Sequence, residues 1–317
     1  MIIYINGYDH LPLLLYTFLM IKWLLFLVLC MIWGSSFMLM KLGLKGLSPY
    51  EVAALRMFSA GLVLLPFFPK AWRNTNRQNR AIALLTGLLG SFFAAILFCI
   101  AETSINSSIA AILNATTPLF VMIVGLLFFN RSITFIQVSG VLIGFLGVLL
   151  LFLPSLKANN VSFTSKALLV LLATVMYGFN VNIANRSLLN TPPLYIATLA
   201  FGMLIPLDTL ILFQQGFFDK DILDENIRNA VMSSVVLGVL GTAFATWLFY
   251  ILMQKAGPLY SSMVTYGLPF VAIAWGVVMG EKISASIVIA LTLILLGVYL
   301  ANKKKSPKSG LFLIRCS

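Results

Sequence analysis

The sequence predicts an all-α integral membrane fold: ten transmembrane helices arranged as two inverted five-helix repeats. Three observations carry this expectation. Hydrophobic residues make up 61% of the 317-residue chain and charged residues 9%, with a mean hydropathy of +1.02, which is more apolar surface than a soluble fold buries. Ten apolar stretches have roughly the 20 residues that a helix needs to cross a hydrocarbon core of about 30 Å. The second half of the chain also repeats the first at a constant offset.

Each stretch is bounded by charges, Pro, Gly or Asn. The first, 23–42, follows Lys22, and the second, 50–68, lies between Pro49 and Pro69. Arg80 and Glu102 bracket 81–101, Asn130 follows 107–129, and Pro154 follows 133–153. In the second half, 165–188 begins near Lys166, 194–213 follows Pro193, and 230–253 ends before Gln254 and Lys255. Gly280 closes 260–279, and Lys282 precedes 283–301.

The repeat runs at an offset of 151: Gly87 recurs as Gly238, Gly90 as Gly241, Phe98 as Phe249, Pro118 as Pro269, Gly125 as Gly276 and Arg131 as Lys282. Upstream the offset is 144, pairing Trp33-Gly34 with Tyr177-Gly178 and Pro49 with Pro193, the slip falling in a longer loop around 73–80. These registers divide the chain into an extension at 1–19, a first repeat at 20–156, a second at 157–302 and a basic tail at 303–317. Met20 reads as an alternative start, because 1–19 adds apolar residues that the first span does not need. Five spans per half force the halves into opposite orientations, and duplicated, inverted membrane halves point to a transporter.

The net charge of +12 does not imply nucleic acid. With the N-terminus inside, 13 of the 21 basic residues, among them Lys70, Arg73, Arg77, Arg80 and Lys303–Lys305, fall on the cytoplasmic side. That bias predicts both termini in the cytoplasm, with the Lys303–Lys305 run beside anionic lipid. Cys30, Cys99 and Cys316 are scattered without metal-binding or redox spacing, and His10 is the single histidine.

The run Trp33-Gly34-Ser35-Ser36-Phe37, then Lys41-Leu42-Gly43-Leu44, Ser48-Pro49 and Ala54-Leu55-Arg56, resembles the opening of an EamA-type domain of the drug/metabolite transporter superfamily. Thr116-Thr117-Pro118-Leu119-Phe120 and Gly267-Leu268-Pro269-Phe270, with Gly280-Glu281-Lys282, are similar to the family's fourth-helix pattern in each half. The resemblance covers about 20–301. It implies ten helices around a central solute path, the fifth and tenth at the periphery, and export of amino acids, related metabolites or drugs across an inner membrane. Asn130-Arg131 stands where the family commonly has Gly-Glu-Arg, so only the second half keeps the carboxylate.

Pro118 and Pro269 cannot donate to the carbonyls four residues earlier, at Asn114 and Thr265. Both lie mid-span, so they either break the helices beside a solute path or merely kink packed helices healed by neighbouring hydroxyls. Polar and aromatic residues gather at that level. Trp33, Ser36, Asn114, Thr117, Tyr177, Asn180, Thr246, Tyr250, Thr265 and Tyr266 are the expected solute-binding set, centred on Asn114, Tyr177, Thr265 and Tyr266. Interhelical hydrogen bonding uses the same residue types. Among ionisable groups, Arg56 in the second span either holds an acidic solute or pairs structurally, and Asp208 is a second charge of interest. Glu51 and Glu102 read as solvated helix-end residues, and Glu281 as a cap for the last helix. The loop 214–228 reads as a solvated connection.

Gly140 and Gly144 form a GxxxG face on the fifth span, fit for a close helix contact or a homodimer. Small-molecule solute and lipid are the expected partners, with no cofactor and no metal. An intramembrane enzyme acting on a lipid-linked substrate would need a nucleophile with a base or a metal cluster, and a scaffold would not need paired helix breaks. We therefore expect a secondary transporter, not an enzyme, that rocks one repeat against the other.

Overall fold

The computed structural model describes residues 11–130, 134–157 and 161–301. Arg131, His10, Cys316 and the basic tail lie outside them. All regular structure among the described residues is helical. The helices are α1 (Leu11–Gly43), α2 (Pro49–Arg73), α3 (Arg77–Glu102), α4 (Ser107–Phe128) and α5 (Phe135–Lys157). They continue as α6 (Val161–Ser187), α7 (Pro193–Gln214), α8 (Glu225–Ala256), α9 (Pro258–Val278) and α10 (Ala285–Ala301). Among the described residues, nine are long and apolar enough to cross a membrane, and the described part of α10 is apolar and covers 17 residues.

Local chemistry sets the helix starts. Ser48 and Glu51 form a capping box on α2, Ser48 Oγ accepting from the Glu51 N–H at 3.3 Å and Glu51 Oε2 from the Ser48 N–H at 2.7 Å. Asn76 caps α3 and Asp224 caps α8 through their side-chain oxygens. These caps place both helices a few residues upstream of the apolar runs, so the charged stretches 77–80 and 225–229 form first turns rather than loops. Gly257, at φ +86°, makes the sharp turn between α8 and α9, a conformation that disfavours any side chain.

The repeats interleave. A Cβ on Gly178 of α6 would stand 2.9 Å from the Phe120 carbonyl of α4, and one on Gly34 of α1 would stand 2.5 Å from Val271 of α9. Those contacts are mates under the two offsets. So are Gly87 of α3, whose Cβ would stand 2.9 Å from the Ala200 carbonyl of α7, and Gly238 of α8 against the Arg56 carbonyl of α2. Each repeat thus packs its first two helices on the third and fourth of the other, and glycine permits the close approach.

Helices α5 and α10 pack on each other at the edge. Gly140 and Gly144 of α5 lie against Gly297 and Ala301 of α10. The small-residue face therefore makes a close helix contact within the chain, the first of its two expected uses. Leu142, Leu146 and Leu149 of α5 remain exposed, as suits a lipid-facing surface.

Candidate functional site

Two helices are broken at mid-span. In α4 the regular α-helix stops at Asn114 and resumes at Thr117, with Pro118 in the new first turn. In α9 the chain runs as α-helix over Pro258–Ser262, 3-10 helix over Met263–Tyr266 and α-helix again from Leu268. The Asn114 carbonyl released by Pro118 accepts from the Thr117 hydroxyl at 2.7 Å, and Leu113's accepts from Thr116 at 2.6 Å. Hydroxyls heal this break, and Asn114 lines the space beside it.

Two further irregularities face these breaks. Residues Leu88–Phe92 of α3 and Leu237–Phe244 of α8 are π-helical, a wide turn that is rare and concentrates at functional sites. They are repeat mates. The Gly241 carbonyl in the second accepts from Trp33 Nε1 of α1 at 2.9 Å. The sequence carried a signal here, the paired Gly87/Gly238 and Gly90/Gly241, which was read as repetition but not as widened turns.

The four irregular segments, with α1, α2 and α6, enclose a cavity of about 110 Å³. One water occupies roughly 10–15 Å³ on this measure, so the space suits a small metabolite. Its walls repeat in pairs. Trp33 packs on Phe249 with ring centroids 5.3 Å apart, and their mates Tyr177 and Phe98 stack at 6.1 Å. Ser36 sits against Gly241, and its mate Asn180 against Gly90. Asn114 and Thr265 form a third pair, and Ser91 and Thr242 a fourth.

Of the ten residues expected to bind solute, the structure brings nine to this cavity: Trp33, Ser36, Asn114, Thr117, Tyr177, Asn180, Thr246, Tyr250 and Thr265. Tyr266 stands apart, its hydroxyl donating to the Val298 carbonyl of α10 at 3.3 Å. Phe37, Met40, Gly90, Phe98, Phe249 and Leu268 also line the space and were not anticipated. Asn182, two residues beyond Asn180, serves packing instead, donating to the Val121 carbonyl of α4 at 2.9 Å.

The EamA-like transporter model matches residues 20–153 and again 164–303, spanning most of the chain in two units. The chain belongs to the EamA-like transporter family. Similar proteins include an uncharacterized transporter of Archaeoglobus fulgidus, 25% identical over 90% of this chain and 99% of the relative. The uncharacterized inner membrane transporter YedA of Escherichia coli K12 is 24% identical over 87% of this chain and 91% of its own. A probable amino-acid metabolite efflux pump of Salmonella typhimurium is 23% identical over 86% and 92%. A solved structure, described as the crystal structure of a protein, shares the fold with a TM-score of 0.60 at 18% identity, covering 88% of this chain and 96% of that one. The chain is thus a multi-pass membrane transporter.

The acids of this EamA-like transporter do not sit as expected. Glu51 is 1% exposed and pairs with Lys220 at 2.9 Å, because the 214–225 loop folds over the start of α2; Ser48 and Gln215 are joined there at 3.1 Å. Glu102 is fully buried, and Lys41 Nζ donates to its backbone carbonyl at 2.8 Å. Glu281 caps α4, not α10: Oε1 accepts from the Ser107 N–H at 2.8 Å, and Oε2 from the Ser108 N–H at 3.2 Å and the Ser108 hydroxyl at 2.5 Å. Asp208 on α7 is fully buried, with neither carboxyl oxygen hydrogen-bonded, and it is not among the cavity residues. Arg56 does line the cavity, with Nε donating to Thr242 Oγ1 at 2.6 Å.

Proposed function

We propose that this EamA-like transporter is a secondary transporter that exports a small metabolite, an amino acid or a related compound, across an inner membrane by alternating access. The observation that carries the proposal is a mid-span cavity whose walls come in repeat-related pairs from four interrupted helices. Irregular backbone at membrane depth is tolerated where it lines a cavity, and repeat-related breaks let one site be exposed to either side in turn. The name of the Salmonella relative supports the solute class and the direction, and that of YedA the membrane. The bias of basic residues supports both termini in the cytoplasm.

We place the moving units differently from the sequence expectation. Because the repeats interleave, α1, α2, α8 and α9 form one unit and α3, α4, α6 and α7 its mate, with the cavity between them. The Glu281 contact to Ser107 and Ser108 crosses from one unit to the other at the end that this topology makes external.

Counterflow of labelled amino acids in proteoliposomes tests the proposal. Accumulation that collapses when the gradient is dissipated is expected, and Asn114→Leu is expected to weaken solute affinity at least tenfold. Folded protein that moves no member of a broad panel of amino acids and related metabolites would overturn the transport reading, whereas normal affinity in Asn114→Leu would overturn the site.

A further inference from the structure

Five wall residues, Met40, Arg56, Thr246, Tyr250 and Ser262, have no lining mate, and one of them holds a charge. Under the 144 offset the mate of Arg56 is Ala200, and the glycine contacts place the two equivalently, Gly238 against the Arg56 carbonyl and Gly87 against that of Ala200. Among the described residues, Arg56 is the single charged one on the cavity wall.

Its hydrogen bonding is incomplete. A guanidinium has five N–H donors in a planar fork, and here the side chain makes one hydrogen bond, from Nε to the neutral Thr242 hydroxyl. Among the described residues no carboxylate lies within 4.0 Å of it. The buried acid Glu102 instead turns one oxygen to the Ser107 hydroxyl at 3.4 Å, and Glu281 is spent on the start of α4. A cation at membrane depth is costly unless something neutralises it.

A second wall residue is also left open. Asn180 is 9% exposed, and its Oδ1 has no hydrogen-bond donor. The aromatic pairs Trp33–Phe249 and Phe98–Tyr177 belong to the same cavity wall.

We propose that the solute carries a carboxylate, which docks on the free N–H groups of Arg56, with an apolar or aromatic body against those rings and an N–H group donating to Asn180 Oδ1. This rests on the transport reading and narrows it, because organic cations lacking a carboxylate meet a guanidinium that no carboxylate contacts and are refused. The fork geometry of arginine matches a carboxylate with two parallel hydrogen bonds, which a lysine cannot reproduce.

The test uses matched probes on the purified full-length protein: phenylalanine, 3-phenylpropanoate, phenylalaninamide and phenethylamine. Binding is read by calorimetry and by thermal stabilisation. The two acids are expected to bind about tenfold to hundredfold more tightly than the amide and the amine, the range set by charge-assisted hydrogen bonds. Arg56→Gln is expected to erase that ratio, and Arg56→Lys to retain part of it. Equal binding of acid and amide by the native protein overturns the inference, and so does an unchanged ratio in folded Arg56→Gln or the absence of binding by all four. If Arg56→Gln does not fold, the acid-to-amide comparison on the native protein decides alone. Acids that bind but do not cross proteoliposomes would uphold this inference and sink the transport reading. Amines that are carried as readily as acids would do the reverse.

Discussion

Trp33 shows how one side chain ties sequence, packing and site together. Its indole N–H takes up a carbonyl in the π-helical stretch of α8, while its ring forms part of the cavity wall against Phe249. Trp33→Phe keeps an aromatic ring but leaves the Gly241 carbonyl without this donor. We expect a loss of about 1–3 kcal/mol in stability, seen as a lower unfolding midpoint in detergent, together with weaker solute binding. An unchanged midpoint would mean that α8 holds its wide turn unaided. At this scale the sequence was a good guide. Trp33, Tyr177, Asn114 and Thr265 stood out as polar or aromatic residues at repeat-related places in apolar spans, and they meet in space because the repeat operation carries one pair onto the other. Tyr266 misled for a physical reason. One residue beyond Thr265 on a tight 3-10 turn, it points away to α10.

The helices themselves were legible wherever the chain could form them locally. Apolar runs mark the spans, and Pro118 and Pro269 mark where two of them lose a backbone hydrogen bond, without reference to neighbours. The π-helical stretches were not legible, since a turn with one extra residue depends on contacts such as Ser36 against Gly241 and Asn180 against Gly90. The Glu281 cap is likewise an effect between elements. Its carboxylate satisfies the N–H groups of Ser107 and Ser108 at the start of α4, where the helix dipole favours negative charge. Replacing the carboxylate in Glu281→Gln should cost about 1 kcal/mol, measured as a lower thermal midpoint. An equal midpoint at low and high salt in both proteins would show that the charge contributes nothing.

Across the whole molecule, interleaving makes a mechanical prediction. Ser35 of α1 accepts from Trp275 Nε1 of α9 at 2.9 Å, a contact inside one proposed unit. The Ser108 contact to Glu281 spans the two units. Joining Ser108→Cys to Glu281→Cys with a short cross-linker should stop counterflow until the link is cleaved, whereas joining Ser35→Cys to Trp275→Cys should leave most of it. Equal inhibition by both links would show that the units are drawn wrongly. The sequence by itself determined the membrane class, the twofold repetition, the approximate helix spans and the positions of the mid-span prolines, because each is written in local hydropathy, backbone chemistry or direct self-similarity. Tertiary structure alone decided that Glu281 serves α4, that Lys220 reaches Glu51, that the glycines of α5 are used by α10, and that Arg56 faces the cavity without a carboxylate. Those facts are contacts between residues far apart in the chain, such as the 173 positions between Ser108 and Glu281, and hydropathy periodicity holds no information about which distant side chains come to share one low-dielectric space.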